Sequence, residues 1–278
     1  MTHEGQQVRK ACRWSTPVVA MVVAAALVVV VAASTAVAAT PEAKSKASKV
    51  SGSITVSAAS SLTEVFTKMG ADFQKINKGT TITFNFGSSS TLASQIQGGA
   101  PADVFASADG ANMQKVVTTG QVTQDPVDFT ANLLTIVVKK GNPMGVQRLS
   151  DLPKLGVVSL CAAAVPCGKY ATQMLSQDGV TIPTDKVTLG QDVKATLAAV
   201  QSGDADAALV YVTDAKAAAG TVTEVPIAAS LNVLAIYPIA PVASSQNAKL
   251  ADAWVKYVLS PAGQKTLAKY GFLPVPTT

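Results

Sequence analysis

The chain alternates between two patterns of apolar and polar residues along most of its length. The run 53–57 (Ser-Ile-Thr-Val-Ser) is short, rich in β-branched residues and bounded by small ones, which is typical of a strand. The apolar residues that follow recur at helical spacing. They are Leu62, Val65, Phe66, Met69 and Phe73. A strand followed by an amphipathic helix is therefore the first predicted unit.

The same unit repeats to the end of the chain. Further strands are predicted over 81–86, 103–107, 132–139, 155–160, 186–189, 207–212 and 233–239. Further helices are predicted over 89–97, 110–119, 168–177, 192–202, 247–259 and 261–270. The strand 132–139 contains a continuous apolar run, which favours burial on both faces. Dense alternation of strands and helices predicts an α/β fold with mainly parallel sheets.

The N-terminal forty residues have the pattern of a targeting segment. Arg9, Lys10 and Arg13 precede an uncharged stretch, 17–39, made almost entirely of Val and Ala. Ala36-Val37-Ala38 fits the small-x-small pattern of signal-peptidase sites, so residues 1–38 are predicted to be a signal peptide. An uncleaved anchor is the alternative, because the apolar stretch is long enough to span a bilayer. Residues 39–50 are predicted to be a flexible tether. We therefore expect an exported protein in the periplasm or cell envelope, with a membrane tether as the alternative.

Composition and charge exclude several classes of function. The 278 residues are 48% hydrophobic and 14% charged, which excludes a disordered chain. Three of the 22 basic residues and one of the 17 acidic residues lie before position 39, which leaves 19 against 16. So small an excess without a basic cluster argues against a nucleic-acid partner. The one histidine, His3, lies in the targeting segment, so His-based catalysis and His-ligated metals are excluded downstream.

Two cysteines lie downstream of the targeting segment, at Cys161 and Cys167. In an oxidising compartment a close pair favours a disulfide. Closing so short a loop would stabilise the fold by about 2 kcal/mol. A two-cysteine metal site is the alternative, but no third ligand lies near it in the sequence.

The helix starts carry the candidate chemistry. Ser61 and Glu64 match a capping box, and 87–91 (Gly-Ser-Ser-Ser-Thr) is a hydroxyl-rich turn between a strand and a helix. Pro166-Cys167-Gly168 and 190–193 (Gly-Gln-Asp-Val) open two more helices. Unpaired N–H groups and the helix dipole favour an anion at such turns, which lie at the carboxyl ends of strands in open α/β sheets. Four converging turns would form an oxyanion site without Arg or Lys.

Plainer interpretations stay open at this point. Ser and Gly are good helix caps and most caps bind nothing. Tyr211 fits an ordinary strand-end tyrosine, and Arg148 fits a solvated loop. A secreted hydrolase with Ser89 as nucleophile is a rival hypothesis, although its base would have to be a Lys or Asp that no motif reveals.

Four segments together resemble a known family. They are 56–63 (Val-Ser-Ala-Ala-Ser-Ser-Leu-Thr), 86–96 (Phe-Gly-Ser-Ser-Ser-Thr-Leu-Ala-Ser-Gln-Ile), 99–109 (Gly-Ala-Pro-Ala-Asp-Val-Phe-Ala-Ser-Ala-Asp) and 209–215 (Leu-Val-Tyr-Val-Thr-Asp-Ala). In this order and spacing they resemble the periplasmic molybdate-binding proteins of molybdate ABC transporters. The resemblance extends from about 53 to 272.

The resemblance implies which residues bind the anion. Ser61 and Ser89 match serines that one lobe of the family supplies. Cys167 and Val193 match positions that supply backbone amides from the other lobe, and Tyr211 matches a tyrosine that supplies its hydroxyl. Ser60 adds a hydroxyl beside Ser61, so either serine could make that contact. Molybdenum would be bound only as molybdate, through these residues.

The resemblance also implies an architecture and partners. The expected fold is a two-lobed periplasmic-binding-protein fold of type II with the ligand in the cleft. The chain order predicts one lobe from 51–130 plus 237–278 and an inserted lobe from 131–236, crossing near 129–133 and 236–238. We expect a monomer with no cofactor and no catalytic residues, which delivers molybdate or tungstate to a membrane permease. Another oxyanion such as sulfate is the nearest alternative ligand.

Overall fold

The computed structural model describes residues 50–122 and 124–276, and within them ten strands form two five-stranded sheets. In spatial order, the first sheet contains β2 (Thr80–Gly87), β1 (Gly52–Ala59), β3 (Val104–Ala106), β10 (Ala235–Pro241) and β4 (Val127–Asn132). The second contains β7 (Val187–Gly190), β6 (Val158–Cys161), β8 (Ala207–Tyr211), β5 (Leu134–Lys139) and β9 (Val222–Val225).

Helices connect and flank these strands. They are α1 (Thr63–Ile76), α2 (Ser89–Gln97), α3 (Gly110–Thr118), α4 (Pro166–Gln177), α5 (Val193–Ser202), α6 (Val212–Ala217), α7 (Ala248–Leu259) and α8 (Pro261–Tyr270). Short 3-10 helices span Ser60–Leu62, Leu149–Lys154 and Thr184–Lys186. This architecture confirms the predicted two-lobed α/β fold class. The sequence patterns missed β4, β9 and α6, which are all six residues long or shorter.

One strand in each sheet runs against the other four. In the first sheet, β10 is antiparallel to β3 and β4, whereas β1 pairs with β2 and β3 in parallel. In the second sheet, β5 is antiparallel to β8 and β9, whereas β6 pairs with β7 and β8 in parallel. Both reversed strands directly follow a passage of the chain from one sheet to the other. The sheets are therefore mixed, because a strand that arrives from the other sheet enters in the opposite direction.

The chain passes between the sheets twice. The first passage is a single residue, Leu133, between β4 and β5, and the second is the segment 226–234 between β9 and β10. The predicted lobes at 51–130 with 237–278 and at 131–236 stay a proposal, which this division of the strands supports.

The core packs helices against both faces of the strands. Strand β5 is buried from Leu134 to Val138, as its apolar run predicts. Beside the first sheet, Trp254 of α7 is fully buried and packs edge-on against Phe66 and Phe73 of α1, with ring centroids 5.5 Å and 5.6 Å away. These contacts fix α1, and with it the turn that precedes α1.

The predicted capping box at Ser61 is wrong. Helix α1 begins at Thr63 after the 3-10 helix Ser60–Leu62, and its N-cap residue, Leu62, makes no side-chain cap. The hydroxyl of Thr63 donates to the carbonyl of Ser60 at 2.7 Å. Ser61 and Glu64 make other contacts, described below, with Tyr237 of the first sheet and with Lys194 of α5.

The predicted signal peptide, 1–38, and nearly all of the predicted tether, 39–50, lie outside the described residues. Within the described residues, no helix is long and apolar enough to cross a membrane.

Candidate functional site

One small cavity contains all of the predicted anion-binding residues. It lies at the carboxyl ends of strands from both sheets. The first sheet and its connections contribute Ala59, Ser60, Ser61, Gly87, Ser88, Ser89 and Ala108. The second contributes Val165, Pro166, Cys167, Asp192, Val193 and Tyr211. The four helix starts and the strand-end tyrosine thus converge at one place.

Two serines in the turn after β2 have different roles. Ser88 is the N-cap of α2, and its hydroxyl accepts from the Thr91 N–H at 3.2 Å. Ser89, the first residue of the helix, is almost fully buried and lines the cavity. Its Oγ accepts from the Ala108 N–H at 2.9 Å. The hydroxyl hydrogen of Ser89 therefore remains available for a ligand.

The turn after β1 brings two buried serines to the cavity. Ser60 and Ser61 both line it, so the choice between them stays a prediction. The Ser61 Oγ lies 2.9 Å from the hydroxyl of Tyr237, a fully buried residue of β10. Ser61 therefore belongs to a hydrogen-bonded pair.

The second-sheet side offers backbone amides at two helix starts. Cys167 and Val193 lie in the first turns of α4 and α5, where N–H groups have no carbonyl partner inside the helix. Asp192 caps α5 by accepting from the Ala195 N–H at 2.9 Å. Asp192 also lines the cavity and is the one carboxylate among the lining residues of the described chain.

A disulfide holds the start of α4. Cys161, at the end of β6, is bonded to Cys167, with their Cα atoms 5.7 Å apart. The predicted bond is therefore present, and the metal alternative for these cysteines is excluded. Gly168 packs so closely against the carbonyl of Ala162 that a Cβ atom there would overlap it. The loop between the cysteines is thus attached to α4 at two adjacent residues, by the disulfide at Cys167 and by close packing at Gly168.

Tyr211 brings a hydroxyl without a partner. It ends β8, is 1% exposed and lines the cavity. Its Oη has no hydrogen-bonding partner among the described residues. Burial raises the pKa of Tyr211 well above its usual value, and nearby Tyr237 adds to the shift, so the phenol stays protonated. A buried hydroxyl without a partner is costly, and a ligand in the cavity would satisfy it.

No basic side chain lines the cavity in the described part of the chain. Lys194 is next to Val193, but its Nζ lies 2.7 Å and 2.8 Å from the two carboxylate oxygens of Glu64 and 2.8 Å from Asp214. Glu64 belongs to α1, beside the first sheet, so this ion pair bridges the two sides next to the cavity. The lysine charge is therefore neutralised by carboxylates.

Burial and neighbouring charges shift the pKa values of Asp214 and Lys194 in this ion pair. Burial raises the pKa of the fully buried Asp214 to about 6, against the opposing effect of Lys194. Burial lowers the pKa of Lys194, but Asp214 and Glu64 raise it more, so the net pKa is raised. Asp214 and Lys194 are therefore both charged near neutral pH.

The arrangement offers an anion two kinds of uncharged donor. Hydroxyls come from Ser61, Ser89 and Tyr211, and first-turn amides come from Cys167 and Val193. Hydrogen bonds to a charged acceptor are roughly twice as strong as neutral ones. A small oxyanion enclosed by such donors needs no paired cation.

Sequence reasoning missed Tyr237 and the bridge from Lys194 to Glu64 and Asp214. Tyr237 lies in an apolar strand pattern, and the bridge joins residues 130 positions apart, so no local signal could have found them. Arg148 is exposed, as predicted. No group of three or more potential metal ligands occurs in the described residues.

The chain is similar to known solute-binding proteins over most of its length. Residues 54–273 match the family model described as "Bacterial extracellular solute-binding protein". The molybdate-binding protein ModA of Mycobacterium tuberculosis is 39% identical over 221 residues, which cover 79% of this chain and 84% of that protein.

Two solved structures share the fold. The periplasmic molybdate-binding protein of Azotobacter vinelandii aligns with a TM-score of 0.72 at 19% identity, over 81% of this chain and all of that chain. The sulfate-binding protein SubI of Mycobacterium tuberculosis aligns with a TM-score of 0.73 at 20% identity, over 80% of this chain and 87% of that chain. At such identities the two structures show the fold and do not distinguish the ligands.

Proposed function

The chain belongs to the family of bacterial extracellular solute-binding proteins, and we propose that it captures molybdate in the cavity between its two sheets and delivers it to an ABC transporter. As a member of that family it is a transport component and not an enzyme, so Ser89 is not a nucleophile. Its bound molecule is a transported solute and not a cofactor. The relative that is 39% identical is a molybdate-binding protein, which supports this choice of solute.

The observation that carries the proposal is the hydroxyl of Tyr211, which has no partner among the described residues and lies in a cavity whose hydrogen-bond donors are all uncharged. Molybdate is a fully deprotonated dianion at neutral pH, so it offers only acceptors. Ser61 or Ser60, Ser89, Cys167, Val193 and Tyr211 are the proposed contacts. Tungstate has the same charge and shape, and we propose that it binds as well.

Size is the proposed basis for rejecting sulfate. Sulfate is also a dianion without protons, so the donors alone would accept it. Molybdate and tungstate are larger, and a cavity formed between two sides can be matched to the larger ion. Phosphate differs in chemistry, because it carries a proton at neutral pH and needs an acceptor.

We propose that the two lobes close on the ligand by moving about the two segments that connect the sheets, Leu133 and 226–234. The proposed lobes are 51–130 with 237–278 and 131–236, which separate Ser61 and Ser89 from Cys167, Val193 and Tyr211. Closure about two short connections would be a hinge motion. Small-angle scattering should show a smaller radius of gyration with molybdate, and an unchanged radius would count against the hinge.

The proposed partner is the membrane permease of the transporter, and the proposed state in solution is a monomer. An exported location in the periplasm or cell envelope follows from membership of an extracellular family. Cleavage of 1–38, or its retention as a tether, can be decided by the N-terminal sequence of the protein isolated from cells.

Calorimetric titration tests the proposed function. The chain without its first 38 residues would be titrated with molybdate, tungstate, sulfate and phosphate at equal ionic strength. We expect tight 1:1 binding of molybdate and tungstate and much weaker binding of sulfate and phosphate. Tighter binding of sulfate would reassign the solute, and no binding of any oxyanion would refute the proposal.

A further inference from the structure

Tyr237 lies directly behind one of the proposed donors. It is fully buried in β10 and is not among the residues that line the cavity. Its ring packs edge-on against Phe129, Tyr211 and Phe272, with centroids 6.4 Å, 5.9 Å and 5.7 Å away. Its hydroxyl lies 2.9 Å from the Ser61 Oγ, and the side chains of Asn132 and Tyr211 are also near enough to influence its pKa. The phenol is therefore held in one place.

A serine hydroxyl can donate one hydrogen bond and accept two, so its role toward a ligand depends on the group behind it. Behind Ser89 that group is the Ala108 N–H, which can only donate. The Ser89 Oγ must accept there, and its hydrogen is left for the cavity. Backbone geometry thus fixes Ser89 as a donor.

Tyr237 takes the same place behind Ser61. When Ser61 donates to an anion, Tyr237 can donate to the Ser61 Oγ, and both hydrogens are used. In the opposite arrangement Ser61 donates to Tyr237 and accepts a proton from the ligand. The Tyr237 hydrogen must then turn away from the Ser61 Oγ, its partner at 2.9 Å in the described structure, and the free energy of that hydrogen bond is lost. Burial also raises the pKa of Tyr237, so its proton stays in place.

We propose that Tyr237 is a positioning residue that fixes Ser61 as a donor and so makes the cavity select oxyanions without protons over oxyanions that carry one. The inference rests on the proposed function, since it assigns a role within the same site. Asp192, the one carboxylate that lines the cavity in the described chain, uses its Oδ1 to accept from the Ala195 N–H as a helix cap. Discrimination against hydrogen phosphate would therefore depend on residues behind the cavity as well as on those lining it.

A double-mutant cycle tests this role. Wild type, Tyr237→Phe, Ser61→Ala and the double variant would be titrated with molybdate by calorimetry. Tyr237→Phe keeps the packed ring and should weaken molybdate binding about tenfold in the wild-type background. In the Ser61→Ala background the same change should alter affinity by less than about twofold, because Tyr237 acts through Ser61.

Selectivity gives a second readout that a merely structural role would not change. Bound molybdate would be displaced by inorganic phosphate at pH 8, which gives the ratio of the two affinities. In Tyr237→Phe this ratio should shift toward phosphate by more than the loss of molybdate affinity alone would produce. Tyr257→Phe, which removes the hydroxyl of a half-buried tyrosine packed on Trp254, is the matched control and should change neither quantity.

The outcomes distinguish failure of the proposed function from failure of the role assigned to Tyr237. No molybdate binding by wild type would refute the proposed function, and this inference with it. Molybdate binding by wild type with an equal effect of Tyr237→Phe in both Ser61 backgrounds would overturn the inference alone. If Tyr237→Phe does not fold, 3-fluorotyrosine at position 237 keeps the hydroxyl as a stronger donor. It should then tighten molybdate binding, and unchanged affinity would overturn the inference.

Discussion

The two sides of the cavity present donors of different origin. On the first-sheet side, the Ser61 and Ser89 hydroxyls are each already bonded to a group behind them, Tyr237 and the Ala108 N–H. On the second-sheet side, Cys167 and Val193 offer backbone amides, and the Tyr211 hydroxyl has no partner in the described residues.

This difference indicates how a cavity without cations can be built for an anion. The first-sheet donors are part of the internal hydrogen-bonding network, so they are oriented before a ligand arrives. The Tyr211 hydroxyl has nothing to satisfy it until an anion is enclosed. We therefore expect mutations on the two sides to affect binding alike and to affect stability differently.

Ser89→Ala should have the largest combined effect. It removes a donor to the anion and should weaken molybdate binding by about 1.5–3 kcal/mol. It also leaves the Ala108 N–H without its acceptor and should lower the free energy of unfolding by about 1–3 kcal/mol. Calorimetry and denaturant unfolding measure the two effects. Ser90→Ala, in the same turn but outside the cavity lining, should preserve both affinity and stability.

Tyr211→Phe should weaken binding by a similar amount, about 1.5–3 kcal/mol, without loss of stability. The variant removes a buried hydroxyl that has no partner among the described residues, so the ligand-free protein should be as stable as wild type or more stable. Thermal unfolding without ligand measures this. A marked destabilisation would show that the hydroxyl is satisfied within the protein, and the contrast between the two sides would fail.

Breaking the disulfide should act mainly on stability. Opening the loop from Cys161 to Cys167 should lower the free energy of unfolding by about 2 kcal/mol. Affinity should fall less than in Ser89→Ala, because the Cys167 N–H remains. Unfolding and titration with and without reductant measure both, with the Cys161→Ser/Cys167→Ser variant as a control insensitive to reductant. Complete loss of binding on reduction would mean that the bond itself forms the site.

Glu64→Gln tests the ion pair that joins the two sides. The Lys194 and Glu64 side chains are 27% and 39% exposed, so solvent screens the pair and its loss should weaken binding by no more than about 1 kcal/mol. The salt dependence of affinity should also decrease in this variant. Asp72→Asn, on the same helix and paired with Lys68, is the matched control, for which affinity should not change.

Arg148→Ala should have the smallest effect, less than about 0.5 kcal/mol on affinity, because this residue is exposed and outside the cavity. Titrations in low and moderate NaCl should likewise show only a weak decrease in affinity, since no cation lines the described cavity. Loss of binding in Arg148→Ala with retention in Ser89→Ala would contradict a site made of uncharged donors.

The fold could be predicted where elements carry a strong local period. Helices α2 and α8 have the predicted bounds, and β1 and β2 differ from prediction by no more than two residues at either end. The missed elements β9 and α6 are four and six residues long, too short for a periodic signal. Their positions depend on pairing with β5 and on the turn after Tyr211, which are properties of the tertiary structure.

The candidate site was predictable for a different reason. Parallel strands bring the turns at their carboxyl ends to one edge of a sheet, so the helix starts found in the sequence were candidate anion-binding turns. Their convergence from two sheets was implied only by the resemblance to molybdate-binding proteins. What lies behind the turns was not predictable. Ser61 fits a capping box in sequence, yet its hydroxyl pairs with Tyr237, 176 residues away. Long-range contacts of this kind leave no trace in a local pattern.

The central claim is that uncharged donors from both sides of the cavity converge on one oxyanion, and a crystal structure with bound molybdate tests it most directly. An anomalous difference map at the molybdenum absorption edge should show one peak in the cavity, with ligand oxygens within hydrogen-bonding distance of Ser89 Oγ, Tyr211 Oη and the Cys167 and Val193 amides. A peak beside a lysine or arginine side chain outside the cavity, with these donors free, would contradict the account.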